Sequence, residues 1–291
     1  MRVSPRLATA GLVALVFVAG VVFAQDRSRG RRSYGGRGYG GYGGYGGIPR
    51  EITDRRGVPD WQVDPHFKSD VFTFVRVKYD GYGRDKWATD YPDSDLNFPW
   101  RLQQLTSLKV DPQPKIVELT DDALFDYPWV YLIEPGGLQF TEEEVVALRR
   151  YLLNGGFLMV DDFWGEDEWD NFYSEIKRVF PDREPKELDI SHPIFRCVYP
   201  LKEKPQVPSI HSARRGDAES TSDRPYDPGS RDVHYKALYD DKGRMMAIIC
   251  HNTDLGDGWE REGEDEWYFR EFSEKKSYPM GINIVFYAMT H

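Results

Sequence analysis

The chain has 291 residues and a formal net charge of −10, with 40% hydrophobic residues, eight Trp, 18 Tyr, 16 Phe and two Cys. That aromatic content excludes a wholly disordered chain, and two cysteines exclude a disulfide-stapled miniprotein. The lack of an internal 18-residue apolar stretch excludes a polytopic membrane protein. The acid excess is concentrated, because the first 56 residues carry +7 and residues 57–291 therefore carry −17, a field that repels nucleic acid and anionic headgroups.

Arg2 and Arg6 precede an apolar run from Gly11 to Phe23, and Val22 to Ala24 supplies the cleavage positions of a secretory signal, residues 1–24. The alternative is an uncleaved anchor, short against the roughly 20 residues that a hydrocarbon core requires. Export to a periplasm or the exterior is the expectation, with no integral span left after cleavage. Residues 25–56, rich in Gly, Tyr and Arg and almost without aliphatic side chains, read as a disordered tether. Residues 57–291 remain for a single folded domain.

Alternating apolar and polar residues place the first strand at Phe72–Tyr79, ended by the Asp80–Gly83 turn. Asp93 or Ser94 can cap a helix carrying Leu102, Leu105 and Leu108, stopped by Asp111 and Pro112. A strand at Lys115–Leu119, a helical piece at Thr120–Phe125 and a buried strand at Trp129–Ile133 follow. Thr141 and Glu144 form a capping box for a helix with the apolar stripe Val145, Leu148 and Leu152, and Gly155-Gly156 provides a left-handed exit. The apolar strand Phe157–Val160 runs into Asp161 and Asp162, and a helix through Phe172–Phe180 comes next. Residues 202–230, rich in Pro, Ser, Asp and Arg, read as a long surface excursion. Tyr235–Tyr239 and Met245–Cys250 form a hairpin around Asp240–Gly243, and a helix from about Met280 to Thr290 closes the chain. This order predicts an α/β fold: a flavodoxin-like three-layer sandwich with a mainly parallel sheet, an irregular insertion and a hairpin in its C-terminal half.

Ligands of open α/β sheets bind beyond the carboxyl ends of the strands, which singles out Asp80, Glu134, Asp161, Asp162, His251 and Asp254. The adjacent pair Asp161 and Asp162 can accept sugar hydroxyls, hold a hard cation, or serve as acid and base if their pKa values diverge. One of them capping the next helix while the other is solvated is the plainer reading. Phe163, Trp164 and Trp169 interleave this acidic run as stacking surfaces suited to carbohydrate would. No HxH, HExxH or EF-hand spacing is present, and neither Walker A, dinucleotide-binding nor Gly-x-Ser-x-Gly spacing follows a strand, so no metal or cofactor is expected. Cys197 and Cys250 could form one bridge or remain two thiols.

Phe74–Tyr79, Tyr91–Asn97, Leu119–Asp122, Phe140–Glu144, Leu148–Leu152, Gly155–Asp162, His192–Phe195 and Gly281–Asn283 together resemble an uncharacterised bacterial family, domain of unknown function 4159. The resemblance spans about residues 70–290. It implies kinship with ThuA-like and class I glutamine amidotransferase-like folds, and hence a flavodoxin-like sandwich. By that similarity Asp161 and Asp162 occupy the elbow where amidotransferases carry a nucleophilic Cys, which speaks against glutaminase activity. By the same resemblance, some relatives sit in membrane-anchored proteins beside adhesion-type domains, which keeps a scaffold role open. The resulting expectation is a binding module with Asp161, Asp162, Trp164, His192 and Asp254 at its ligand site and a carbohydrate or another envelope protein as partner. The alternative is a carboxylate-dependent hydrolase using Asp161 and Asp162.

Overall fold

A computed structural model describes residues 52–67, 70–83, 85–216 and 228–291. The expected export signal and residues 25–51 of the tail lie outside the described residues. Seven strands form one sheet in the order β2-β1-β3-β4-β7-β6-β5. They are β1 (Val75–Lys78), β2 (Lys115–Glu118), β3 (Trp129–Ile133), β4 (Phe157–Asp161), β5 (Lys186–Glu187), β6 (His234–Tyr239) and β7 (Met245–His251). β2, β1, β3, β4 and β7 are parallel, and β6 and β5 add an antiparallel edge.

The expected three-layer α/β architecture is present because the parallel strands are apolar on both sides. Val77, Leu132, Val160 and Ile249 point to one face, against Val145 and Leu148 of α2 (Glu142–Leu153) and Phe172 and Ile176 of α3 (Gly165–Val179). On the other face Phe74 and Tyr131 meet Phe98 of α1 (Asp93–Leu105) and Trp259 of a short helix, α5 (Leu255–Glu260). Ring centroids there lie 4.3–6.4 Å apart. The Thr141 capping box forms in full, and Gly155 takes φ +108° at the helix exit.

Several boundaries differ from the sequence expectation. The first strand is shorter, with Phe72 contributing only an isolated bridge to Val110. α3 begins at Gly165, a full two turns early, because Trp164 is extended and Glu166, Asp167 and Glu168 favour the positive helix end. The excursion contains α4 (Ile210–Arg214), nucleated by the Ser209 side chain accepting from the Ser212 amide. The closing helical run holds α6 (Glu266–Tyr268), a π-helical stretch (Phe269–Ser277) and α7 (Tyr278–Thr290). Both cysteines are free thiols. Arg55 donates to the Pro112 carbonyl and Arg56 pairs with Asp93 at 2.7 Å, so the end of the tail is fastened to the domain.

The Gly281–Asn283 stretch has a packing reason. A Cβ on Gly281 would stand 2.6 Å from both Phe98 and Trp259. Asn283 is wholly buried, donates to the Tyr199 carbonyl, and accepts from the Val198 and Tyr199 amides. Gly281→Ala is expected to cost about 1–3 kcal/mol through overpacking. A shift of the urea midpoint measures this, and an unchanged midpoint would show that the rings yield freely.

Candidate functional site: a carboxylate cluster at the strand-order reversal

The strand order reverses between β1 and β3, and the crevice beyond their carboxyl ends is the natural binding position of such a sheet. Four segments meet there: residues 79–92 after β1, Glu134 after β3, Asp161 and Asp162 at the end of β4, and residues 252–257 after β7. Asp90, Glu134, Asp162 and Asn252 all have φ between 49° and 62°. Non-glycine residues rarely take this left-handed conformation, and it recurs here at the exits of β3, β4 and β7 and in the segment that follows β1.

Asp161 faces inward at the level of Ile133, its register partner. It is wholly buried and accepts from the Tyr131 hydroxyl at 3.1 Å and the Gly256 amide at 3.0 Å. Burial, with Asp90 adding to it, raises its pKa to about 8 despite these hydrogen bonds. Asp161 therefore holds the start of α5 rather than a bulky ligand. Asp162, 6% exposed, has no hydrogen-bond or ion-pair partner for its carboxylate among the described residues. One oxygen each from Asp90, Asp162 and Asp254 lie within 4.8 Å of one another. Burial first, and then the surrounding acids, push the pKa values of Asp162 and Asp254 well up, and burial and Asp257 raise Asp90 to about 7. Asp254 also caps α5, accepting from the Asp257 amide at 2.6 Å.

A second triad, Asp90, Asp257 and Glu260, adjoins the first. It has its own cation, because Arg261 pairs with Asp257 and Glu260 at 2.8 Å each. Glu134 is likewise satisfied, by Lys86 and by the Thr89 hydroxyl. The walls are stiff. Asn252 accepts from the Gly165 amide and donates to the carbonyls of Gly229 and Asp232, while Thr253 accepts from the amides of Val207 and Asp162. Beneath Asp90 the buried Arg76 spends every donor. It reaches Asp95, the Ser94 hydroxyl and the carbonyls of Trp87 and Thr89, which fixes the turn that carries Asp90.

Of the residues expected at the site, Asp161, Asp162 and Asp254 converge. Trp164 is half-buried on the same edge, at the start of α3, with its amide donating to Glu168. His192 does not join them. It contacts Tyr287 and Tyr239, the latter at the opposite end of the antiparallel β6, and instead accepts from the Ile194 amide at the start of a short 3-10 turn. Phe163 is buried in the core, and Trp169 stacks on Phe163 with the Lys236 ammonium 3.6 Å from its ring, so neither offers a bare face. Exposed Tyr82, whose amide donates to the Gly137 carbonyl, adds an aromatic to the rim. Asp90 and Asp257 were missed because neither directly follows an apolar strand. The Asp254-x-x-Asp257 spacing of a helix cap was the available signal for the second.

Fold and site together define a doubly wound α/β domain whose strand-order reversal is lined with carboxylates instead of a nucleophile or a phosphate loop. The chain belongs to the family described as a domain of unknown function (DUF4159), matched over residues 73–289. No curated protein matches it.

Proposed function

We propose that the chain is an exported, amidotransferase-like domain without glutaminase activity, which binds a hydroxyl-rich ligand, carbohydrate in class, at the acidic edge formed by Asp90, Asp162 and Asp254. The observation that carries this reading is the convergence of these carboxylates at the strand-order reversal, with Asp162 left-handed and unpartnered among the described residues. Carboxylate oxygens accept from sugar hydroxyls, and Tyr82 and Trp164 supply apolar faces nearby. Neither thiol can replace an elbow nucleophile. Cys250 is buried within β7, and the Cys197 Sγ donates to the Asn283 carbonyl on α7.

A glycan array probed with wild type and with Asp162→Asn tests this reading. Wild type is expected to retain a subset of glycans, with at least a tenfold loss in the variant. Equal retention, or none by wild type, would sink it. The hydrolase alternative draws on the same left-handed exit from β4, which presents Asp162 as a reactive side chain would be presented. It requires turnover of a retained glycan, abolished in Asp162→Asn.

A further inference from the structure

The cluster has a property that sugar binding alone does not explain. Three carboxylates bring oxygens within 4.8 Å of one another, yet no Lys, Arg or His among the described residues pairs with any of them. The adjoining triad shows what a protein cation at this depth looks like, since Arg261 lies against Asp257 and Glu260. Two further features belong to the first triad. Asp162 is only 6% exposed and its carboxylate has no partner among the described residues, and the Oδ2 of Asp90, which the two triads share, has neither solvent contact nor a hydrogen-bond partner among them. A buried carboxylate without a counter-charge is costly, and a fold that retains several must offset that cost elsewhere.

Gly256 strengthens the point. A Cβ there would lie 2.6 Å from the Asp90 Oδ2 and 2.8 Å from the Tyr131 hydroxyl, so only glycine lets α5 approach this closely. Asp90 is thereby held against the end of the sheet, and the Arg76-bound turn holds it from the other side.

We propose that Asp90, Asp162 and Asp254 form a binding site for one hard divalent cation of the Ca2+ or Mg2+ class. The donor set contains only carboxylate oxygens, with no thiolate or imidazole, and thus selects against zinc and copper. Three carboxylates leave coordination positions for water or for ligand hydroxyls. The inference rests on the same pocket as the carbohydrate reading and gives its acids a second task, joining sugar oxygens to protein through the ion.

The experiment is calorimetric titration of the metal-stripped full chain with CaCl2 and, separately, MgCl2, paired with thermal melting. Wild type is expected to bind one equivalent of at least one ion saturably, with a rise in Tm. Asp162→Asn and Asp90→Asn are each expected to lose at least tenfold in affinity and most of that rise. Asn fits the left-handed conformation at both positions, and removing a repelling charge should leave the metal-free variants at least as stable as wild type. Loss of binding is then not loss of folding. The proposal is overturned if wild type binds neither ion at millimolar concentration, or if both variants bind as wild type does. Glycan retention measured with and without chelator separates the two readings. Retention that ignores chelator, with no ion bound, removes the cation and spares the carbohydrate reading. Ion binding without glycan retention does the reverse.

Discussion

Replacing Arg76 with Met is expected to cost about 3–5 kcal/mol, the usual penalty for leaving one partner of a buried ion pair without its counter-charge. Arg76 and Asp95 are both wholly buried, joined by Nε and Nη2 at 2.5–3.1 Å. The Arg76→Met chain keeps the Asp95 carboxylate in the core and strips the carbonyls of Trp87 and Thr89 of a donor each. Such a loss is a large part of the roughly 5–15 kcal/mol that stabilises a typical domain. Removing both charges in Arg76→Met/Asp95→Leu is expected to recover much of it, since no orphan ion remains. Urea denaturation of the four chains gives the coupling directly, and a single-variant loss below about 1 kcal/mol would contradict it. Because the Arg76 contacts fix the turn leading to Asp90, the single variant should also lose the metal response.

The second large effect belongs to pH. His251 is 5% exposed, packed between Phe163, Trp169 and His234, with Nε2 donating to the Gly165 carbonyl and Nδ1 unpartnered among the described residues. Burial, together with the nearby Lys236 charge, lowers its pKa from 6.5 to about 3. The unfolded chain therefore takes up a proton that the folded chain refuses. His251 costs nothing above the unfolded value, and the fold loses stability progressively as pH falls from 6.5 towards 3, by a total of order 5 kcal/mol. Asp90 and Asp161 work the other way. Their raised values, about 7 and about 8, favour the folded state in acid and cost stability as pH rises from 3.8. The His251 contribution is thus read as a difference. In His251→Gln the acid loss should shrink by about one proton's slope relative to wild type, and parallel stability curves for the two chains would refute the assignment.

What could be read in the letters follows from the range of the forces involved. Strand β3, strand β4 and helix α2 were placed within a residue or so because their signals are local: continuous apolar runs and a capping box. Helix α5 carried no such signal. Two glycines in six residues argue against a helix, and it forms because Trp259 is inserted between Phe98 and Tyr131 and because Asp254 caps it. The site divides in the same way. Asp161, Asp162 and Asp254 follow strands directly, so the topology rule found them. Asp90 sits ten residues beyond the nearest strand-ending turn residue, Asp80, and comes back to the edge through contacts such as those of Arg76, which no spacing announces. His192 stands in the His192–Phe195 stretch of the family resemblance, and the proline beside it builds a turn at the other end of β6.

The borders of the sheet bear on how the chain behaves in company. On one side β5 offers two residues, Lys186 and Glu187, both exposed, with Glu187 clamped by Lys204 and His234. On the other, the four residues of β2 begin and end in charge. A neighbouring copy arriving side-on would find little unpaired backbone and would have to strip water from ions to reach it. Crowding should therefore leave these molecules as separate particles instead of ribbons, with the carboxylate edge left uncovered.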